Sequence, residues 1–233
     1  MKKILILILA IVIWRVKLLL AGELIPKIGF IKKFTESRDW ISGSDVVQIS
    51  MLIIALLLIY FIGKGKFADF GFQPAKIKII LKAFFIAVVI SFVLFILNAI
   101  SIMITGMPEG AGEGSGSGNL LKNIISIWLL ASIIEEIFYR GFLQTFMNPL
   151  KDYGIKLKKI YLSLPVLAAA IMFGLMHFCL IGIVPDRIVY FIVVNAFILG
   201  TIAGYFREKS GSLIPAIGVH IGFNVVGMMI PQI

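Results

Sequence analysis

LLKNIISIWLLASIIEEIFYRGFLQTFM, residues 120–147, is an apolar stretch of membrane-spanning length that nevertheless carries two adjacent carboxylates and a guanidinium, Glu135, Glu136 and Arg140. Placing one ionised group at mid-bilayer depth costs about 2.5–3.5 kcal/mol on insertion scales. Charges grouped this closely therefore call for a polar pocket shared between helices. The plain alternative is an ion pair that only ties helices together, since structural networks also cluster charge.

The rest of the chain says where that pocket lies. Sixty per cent of the 233 residues are hydrophobic, the mean hydropathy is +1.06, and apolar runs of about twenty residues, the length that crosses a hydrocarbon core, recur throughout. Seven candidate spans follow, residues 4–20, 46–62, 79–105, 120–147, 161–184, 188–206 and 213–230. The expected fold is all-α, a polytopic transmembrane helical bundle of about seven helices, in the cell membrane as a multi-pass protein. The first span is the weakest. Lys2 and Lys3 ahead of a short apolar run resemble a signal peptide, but Trp14, Arg15 and Lys17 interrupt it and no small-residue cleavage site follows. An uncleaved anchor or interfacial helix is the expectation.

The chain is basic, with 22 Lys and Arg against 12 Asp and Glu, yet the positive residues fall in short loops between apolar runs rather than in one patch. Membrane topology explains them and nucleic acid does not. Lys64, Lys66, Lys76, Lys78 and Lys82 on one loop, Lys151, Lys156, Lys158 and Lys159 on another, and Arg207 with Lys209 mark the cytoplasmic side. Residues 21–45 dissent, holding Lys27, Lys32, Lys33 and Arg38 on the opposite side.

Residues 66–82, KFADFGFQPAKIKIILK, mix Phe67, Phe70, Phe72 and Ile77 with lysines, and Pro74 suits a first helical turn. A membrane-surface helix is expected there. GMPEGAGEGSGSGN, residues 106–119, reads as a flexible external loop. It divides the chain into N-terminal membrane helices, residues 1–119, and a core of residues 120–233 that carries the chemistry. Cys179, the single cysteine, sits in an apolar run and reads as a buried bystander thiol, while Gly200 and Gly204 read as a point of close helix packing.

Only two histidines occur, His177 in FGLMHF and His220 in HIGFN, both at membrane depth. His220 and Asn224 are four residues apart, as are Phe173 and His177, so each pair projects from one helix face. At about 100° per residue, Arg140 lies roughly 40° around the helix from Glu136 but roughly 140° from Glu135. Glu136 is thus the partner of Arg140, and Glu135 is left as the candidate general base. Water activated by Glu135 beside His177, attacking a carbonyl whose developing oxyanion meets His220 and the Asn224 amide, would be peptide hydrolysis inside a membrane.

EEIFYR, FGLMH and HIGFN resemble, in order and spacing, the EExxxR, FxxxH and HxxxN/D motifs of the CPBP (Abi) intramembrane proteases, which include type II CAAX prenyl endopeptidases and bacteriocin-processing or immunity proteins. The resemblance implies a protease with Glu135 activating water, Glu136 and Arg140 in support with Phe173, His177 beside the water, and His220 with Asn224 at the oxyanion. It implies a peptide or protein substrate in the lipid bilayer, with a prenylated protein or a bacteriocin or pheromone precursor as candidates. The family is commonly named metalloprotease, which would make zinc a candidate cofactor held by His177, His220 and Glu135. The HExxH spacing of zinc proteases is missing, so the preferred mechanism requires no cofactor. The chain ends at Ile233, shortly after Asn224, without the further helix usual in prenyl endopeptidases of this type, which weakens the prenyl expectation more than the protease one. A non-enzymatic immunity or scaffold protein, and an ion-coupled transporter, are the competing classes.

Overall fold

The computed structural model describes residues 2–37, 41–106 and 124–229. The first helix, α1 (Lys2–Lys17), continues through a π-helical stretch (Leu18–Leu24) into a 3-10 turn (Ile25–Lys27) that contains Pro26. Together they form a 26-residue apolar rod long enough to cross a membrane. Ala10, Trp14 and Ala21 are buried in the common core, so this rod is packed into the bundle. A short helix α2 (Gly29–Glu36) follows. Next comes α3 (Gly43–Gly63), which starts at a capping box in which Ser42 N donates to Asp45 at 2.7 Å while Asp45 N donates back to the Ser42 hydroxyl.

After α3 lie α4 (Ile77–Thr105), α5 (residues 124–146), α6 (Leu164–Met176), α7 (Asp186–Ser210) and α8 (Ile214–Met229). Four of these rods, Lys2–Lys27, Gly43–Gly63, Ile77–Thr105 and Asp186–Ser210, are long and apolar enough to span a bilayer, and Leu164–Leu180 and Ile214–Gly227 are shorter apolar helices. The chain is an all-α membrane bundle. Its outward faces stay apolar: Phe61 is 71% exposed and Val89 62% exposed, which suits contact with lipid and not with water. At the centre runs α5, whose Phe138, Tyr139, Phe142 and Leu143 are wholly buried against α3, α6, α7 and α8. Its neighbour α7 comes close because Gly200 has no side chain. A Cβ there would stand 2.8 Å from Arg140 Nη2 and 3.0 Å from Ala170 Cα.

Three expectations change. The span expected at residues 161–184 begins instead in an antiparallel hairpin, β1 (Gly154–Leu157) with β2 (Ile160–Ser163), the only strands among the described residues. Helix α6 starts later because Ser163 caps it, its hydroxyl accepting from Val166 N, and Pro165 occupies the first turn. Cys179 is exposed and not buried, since the helix gives way after Met176 to a 3-10 turn (His177–Leu180) that turns it outward. The loop expected at residues 106–119 lies outside the described residues beyond Gly106.

The third change concerns residues 66–82, which do not form a surface helix. Pro74 precedes the helix that starts at Ile77, and Phe67–Phe70 makes a 3-10 turn that drives Phe70 into the core, stacked on Phe142. The segment then clasps the turn between α7 and α8. Leu213 N donates to Gly71 O at 2.9 Å, Gln73 Nε2 to Gly211 O at 2.7 Å and Arg207 Nη2 to Asp69 O at 3.2 Å. Gly71 adopts φ +94°, and a Cβ there would lie 2.6 Å from Arg207 Nε. Replacing Gly71 with Ala should therefore destabilise the fold by about 1–3 kcal/mol, since both the backbone and the guanidinium must yield. Thermal unfolding in detergent checks this, and an unchanged midpoint would mean that the clasp is dispensable.

Candidate active site

The charged residues of α5 occupy a change of helical type. Ser132–Glu136 is α-helical and Ile137–Leu143 widens to a π-helix, an irregularity often found where a helix serves a site. Glu136 is wholly buried and its Oε1 receives two hydrogen bonds, from Arg140 Nη1 at 2.9 Å and in a 2.9 Å contact with His220 Nδ1 on α8. The guanidinium of Arg140 lies 4.5 Å over the Phe173 ring, so the charge that meets one carboxylate on one side meets an aromatic face on the other. Helical spacing anticipated the Glu136–Arg140 pair, but not the second partner of Glu136.

With Nδ1 of His220 held by Glu136, its Nε2 is turned towards Glu135, 3.8 Å from Oε2. That separation is too long for a direct hydrogen bond. The other oxygen of Glu135 accepts from Gln48 Nε2 on α3 at 2.8 Å. Glu135 is thus held at one oxygen and open towards an imidazole at the other.

A second contact joins the same two helices one turn away, where Asn224 Nδ2 donates to Ser132 Oγ at 3.0 Å. Ser132 and Glu136 are four residues apart on α5, and Asn224 and His220 four apart on α8. They pair in opposite order, as rungs between two antiparallel helices. His177 stands apart from this ladder. Its Nδ1 contacts its own Phe173 carbonyl at 3.0 Å, and the Phe173 ring lies between the two imidazoles, 5.2 Å from His177 and 5.6 Å from His220 by ring centroids. Glu135, Glu136, Arg140 and His220 are therefore brought into one cluster with Phe173, Asn224 lies one turn along, and His177 flanks it.

Sequence reading passed over three contributors. Gln48 and Lys17 were available as polar residues interrupting apolar helices, and Ser132 as a hydroxyl one turn before Glu136. Lys17 is 2% exposed, and its ammonium contacts Tyr139 Oη and Met51 Sδ, each at 3.3 Å, and lies 4.6 Å over the Phe138 ring. Trp14 Nε1 donates to the same Tyr139 hydroxyl at 3.1 Å. Helix α1 is thereby fastened to the face of α5 that neighbours the cluster.

The family model described as Type II CAAX prenyl endopeptidase Rce1-like matches residues 117–226, the stretch that contains every motif residue of the cluster. This match supports the CPBP/CAAX protease family for these residues, and the chain is an integral membrane protein. No curated protein and no solved structure matches.

A metal in this site would fall to His177, His220 and Glu135. Among the described residues no three His, Cys, Asp or Glu side chains stand together as a ligand set. The Phe173 ring stands between His177 and His220, 5.2 and 5.6 Å from them by centroids, while their Nδ1 atoms face protein oxygens of Phe173 and Glu136, which leaves each Nε2 as the nitrogen open to a ligand.

Proposed function

We propose that this chain is an intramembrane endopeptidase that hydrolyses a peptide bond of a membrane-associated protein or peptide, using water activated by Glu135. The observation that carries the reading is the open edge of Glu135, whose Oε2 faces His220 Nε2 at 3.8 Å while Glu136 holds the far side of that imidazole. Glu135 takes one proton from water, and the water oxygen bonds to the substrate carbonyl carbon. The carbonyl electron pair moves to oxygen, where the Nε2–H that His220 carries as an imidazolium, its Nδ1–H being given to Glu136, and an N–H of Asn224 offset the new charge. Asn224 is oriented for this by the hydrogen bond that its amide gives to Ser132. Collapse of the tetrahedral intermediate breaks the C–N bond, and Glu135 passes its proton to the leaving nitrogen. His177, beyond the Phe173 ring, borders the water side of the site.

The family name supports a prenylated C-terminus as the first substrate class to test. A quenched fluorescent peptide ending in a farnesylated cysteine and three further residues, offered to the purified chain in lipid vesicles, should be cleaved, and the unprenylated peptide should be cleaved less. Intact peptide in both cases would count against the proposed function. Replacing Asn224 with Ala should lower kcat about a hundredfold to a thousandfold with little change in KM, the signature of a donor used in the transition state. An unaltered kcat would remove Asn224 from the oxyanion role. Elemental analysis of active, chelator-treated protein should find cleavage persisting without stoichiometric metal. Loss of cleavage that returns with zinc would transfer the role of Glu135 to a metal centre.

A further inference from the structure

Gln48 lies on α3, in the part of the chain outside residues 117–226, yet its side-chain amide donates to Glu135 Oε1 at 2.8 Å. Because an ionised carboxylate can only accept, this contact fixes the amide with its nitrogen on Glu135 and its oxygen turned away. Oε1 of Gln48 is buried and has no hydrogen-bond partner among the described residues. Holding a polar group in that condition is unfavourable, and the compensating interaction is the charge-assisted hydrogen bond to Glu135.

We infer that Gln48 is a positioning residue for catalysis: it anchors one oxygen of Glu135 and so assigns the work of proton transfer to the other, the oxygen that faces His220. A carboxylate free to rotate about its last torsion would present either oxygen to the water, and a displacement of about 1 Å at a reacting group can cost on the order of a hundredfold in rate. The anchor comes from a rigid place. Helix α3 is capped at Ser42 by a box with Asp45, one turn before Gln48, and the buried Ser50 and Met51 follow within the next turn. Met51 in turn contacts the Lys17 ammonium of α1 at 3.3 Å, so the first two long helices form one wall behind Glu135. The peptidase core is then incomplete without the N-terminal helices, whose role in the site is to aim the base. This inference rests on the reading of Glu135 as that base.

The test uses the full chain in vesicles with Gln48→Met, which keeps the length and bulk of the side chain but removes the N–H, beside Gln48→Ala, which removes both. Positioning predicts that both variants lose about tenfold to a hundredfold in kcat on the farnesylated probe with KM within about twofold. A packing role predicts that the methionine variant works normally and only the alanine variant fails. Infrared spectra supply a readout independent of turnover, because the carboxylate band assigned to Glu135 by subtracting the spectrum of Glu135→Gln should shift in Gln48→Met. An unshifted band, or a methionine variant with unchanged kcat, overturns the inference. Failure of the unaltered chain to cleave the probe counts against the proposed function, while the band still decides whether Gln48 holds Glu135.

Discussion

Exchanging Glu135 for Gln is expected to abolish cleavage while leaving a folded, membrane-inserted protein. The two side chains have nearly the same shape, and an amide oxygen can still accept from Gln48, so the local packing survives. What disappears is the group that takes a proton from water. General-base contributions alone amount to about a hundredfold to ten-thousandfold, and a site in which base and leaving-group acid are the same residue loses both. Product formation should therefore fall below detection, with the unfolding midpoint in detergent close to that of the unaltered chain. Cleavage at a normal rate by this variant would end the assignment of Glu135 as the base.

Arg140→Leu should fail differently, by failing to accumulate. Arg140 and Glu136 are both wholly buried, and the guanidinium bridges from that carboxylate to the face of Phe173. Removing one partner of a buried pair costs about 3–5 kcal/mol because the remaining charge stays in a medium that cannot solvate it. A loss of that size lowers the unfolding midpoint by on the order of ten degrees. Glu136 also holds His220, so what protein remains should be inactive. Glu136→Gln should damage folding and activity together for the same reason, whereas removing both charges, as Glu136→Leu with Arg140→Leu, should restore part of the stability lost in either single variant. Normal accumulation and full activity of Arg140→Leu would mean that the pair has no structural weight.

These expectations show why some of the site could be read from the chain and some could not. The partnership of Glu136 with Arg140 is local, set by one helical turn, and the apolar runs placed most helices within a few residues of where they lie. The rungs that join α5 to α8 were half visible. His220 and Asn224 were legible as one face, but Ser132 was not, because a serine in an apolar helix commonly bonds its own backbone and gives no sign of an outside partner. Gln48 was less legible still, since its partner lies 87 positions away and only tertiary packing brings the two together. The segment at residues 66–82 misled for a related reason. Its mixture of lysines and phenylalanines has the composition of an interfacial helix, but the left-handed Gly71 and the contacts with Gly211 and Leu213 bend it into a clasp. Composition registers which residues are amphipathic and not which turn interrupts them.

The central claim, hydrolysis by a water that Glu135 activates, is tested most directly by mass spectrometry of the farnesylated probe after incubation in water enriched in heavy oxygen. The purified chain and its Glu135→Gln variant would be measured side by side in vesicles. The account predicts one new carboxylate in the product of the unaltered chain, carrying one heavy oxygen, and intact probe with the variant. Intact probe with both proteins, or an equal yield of labelled product from both, would contradict it.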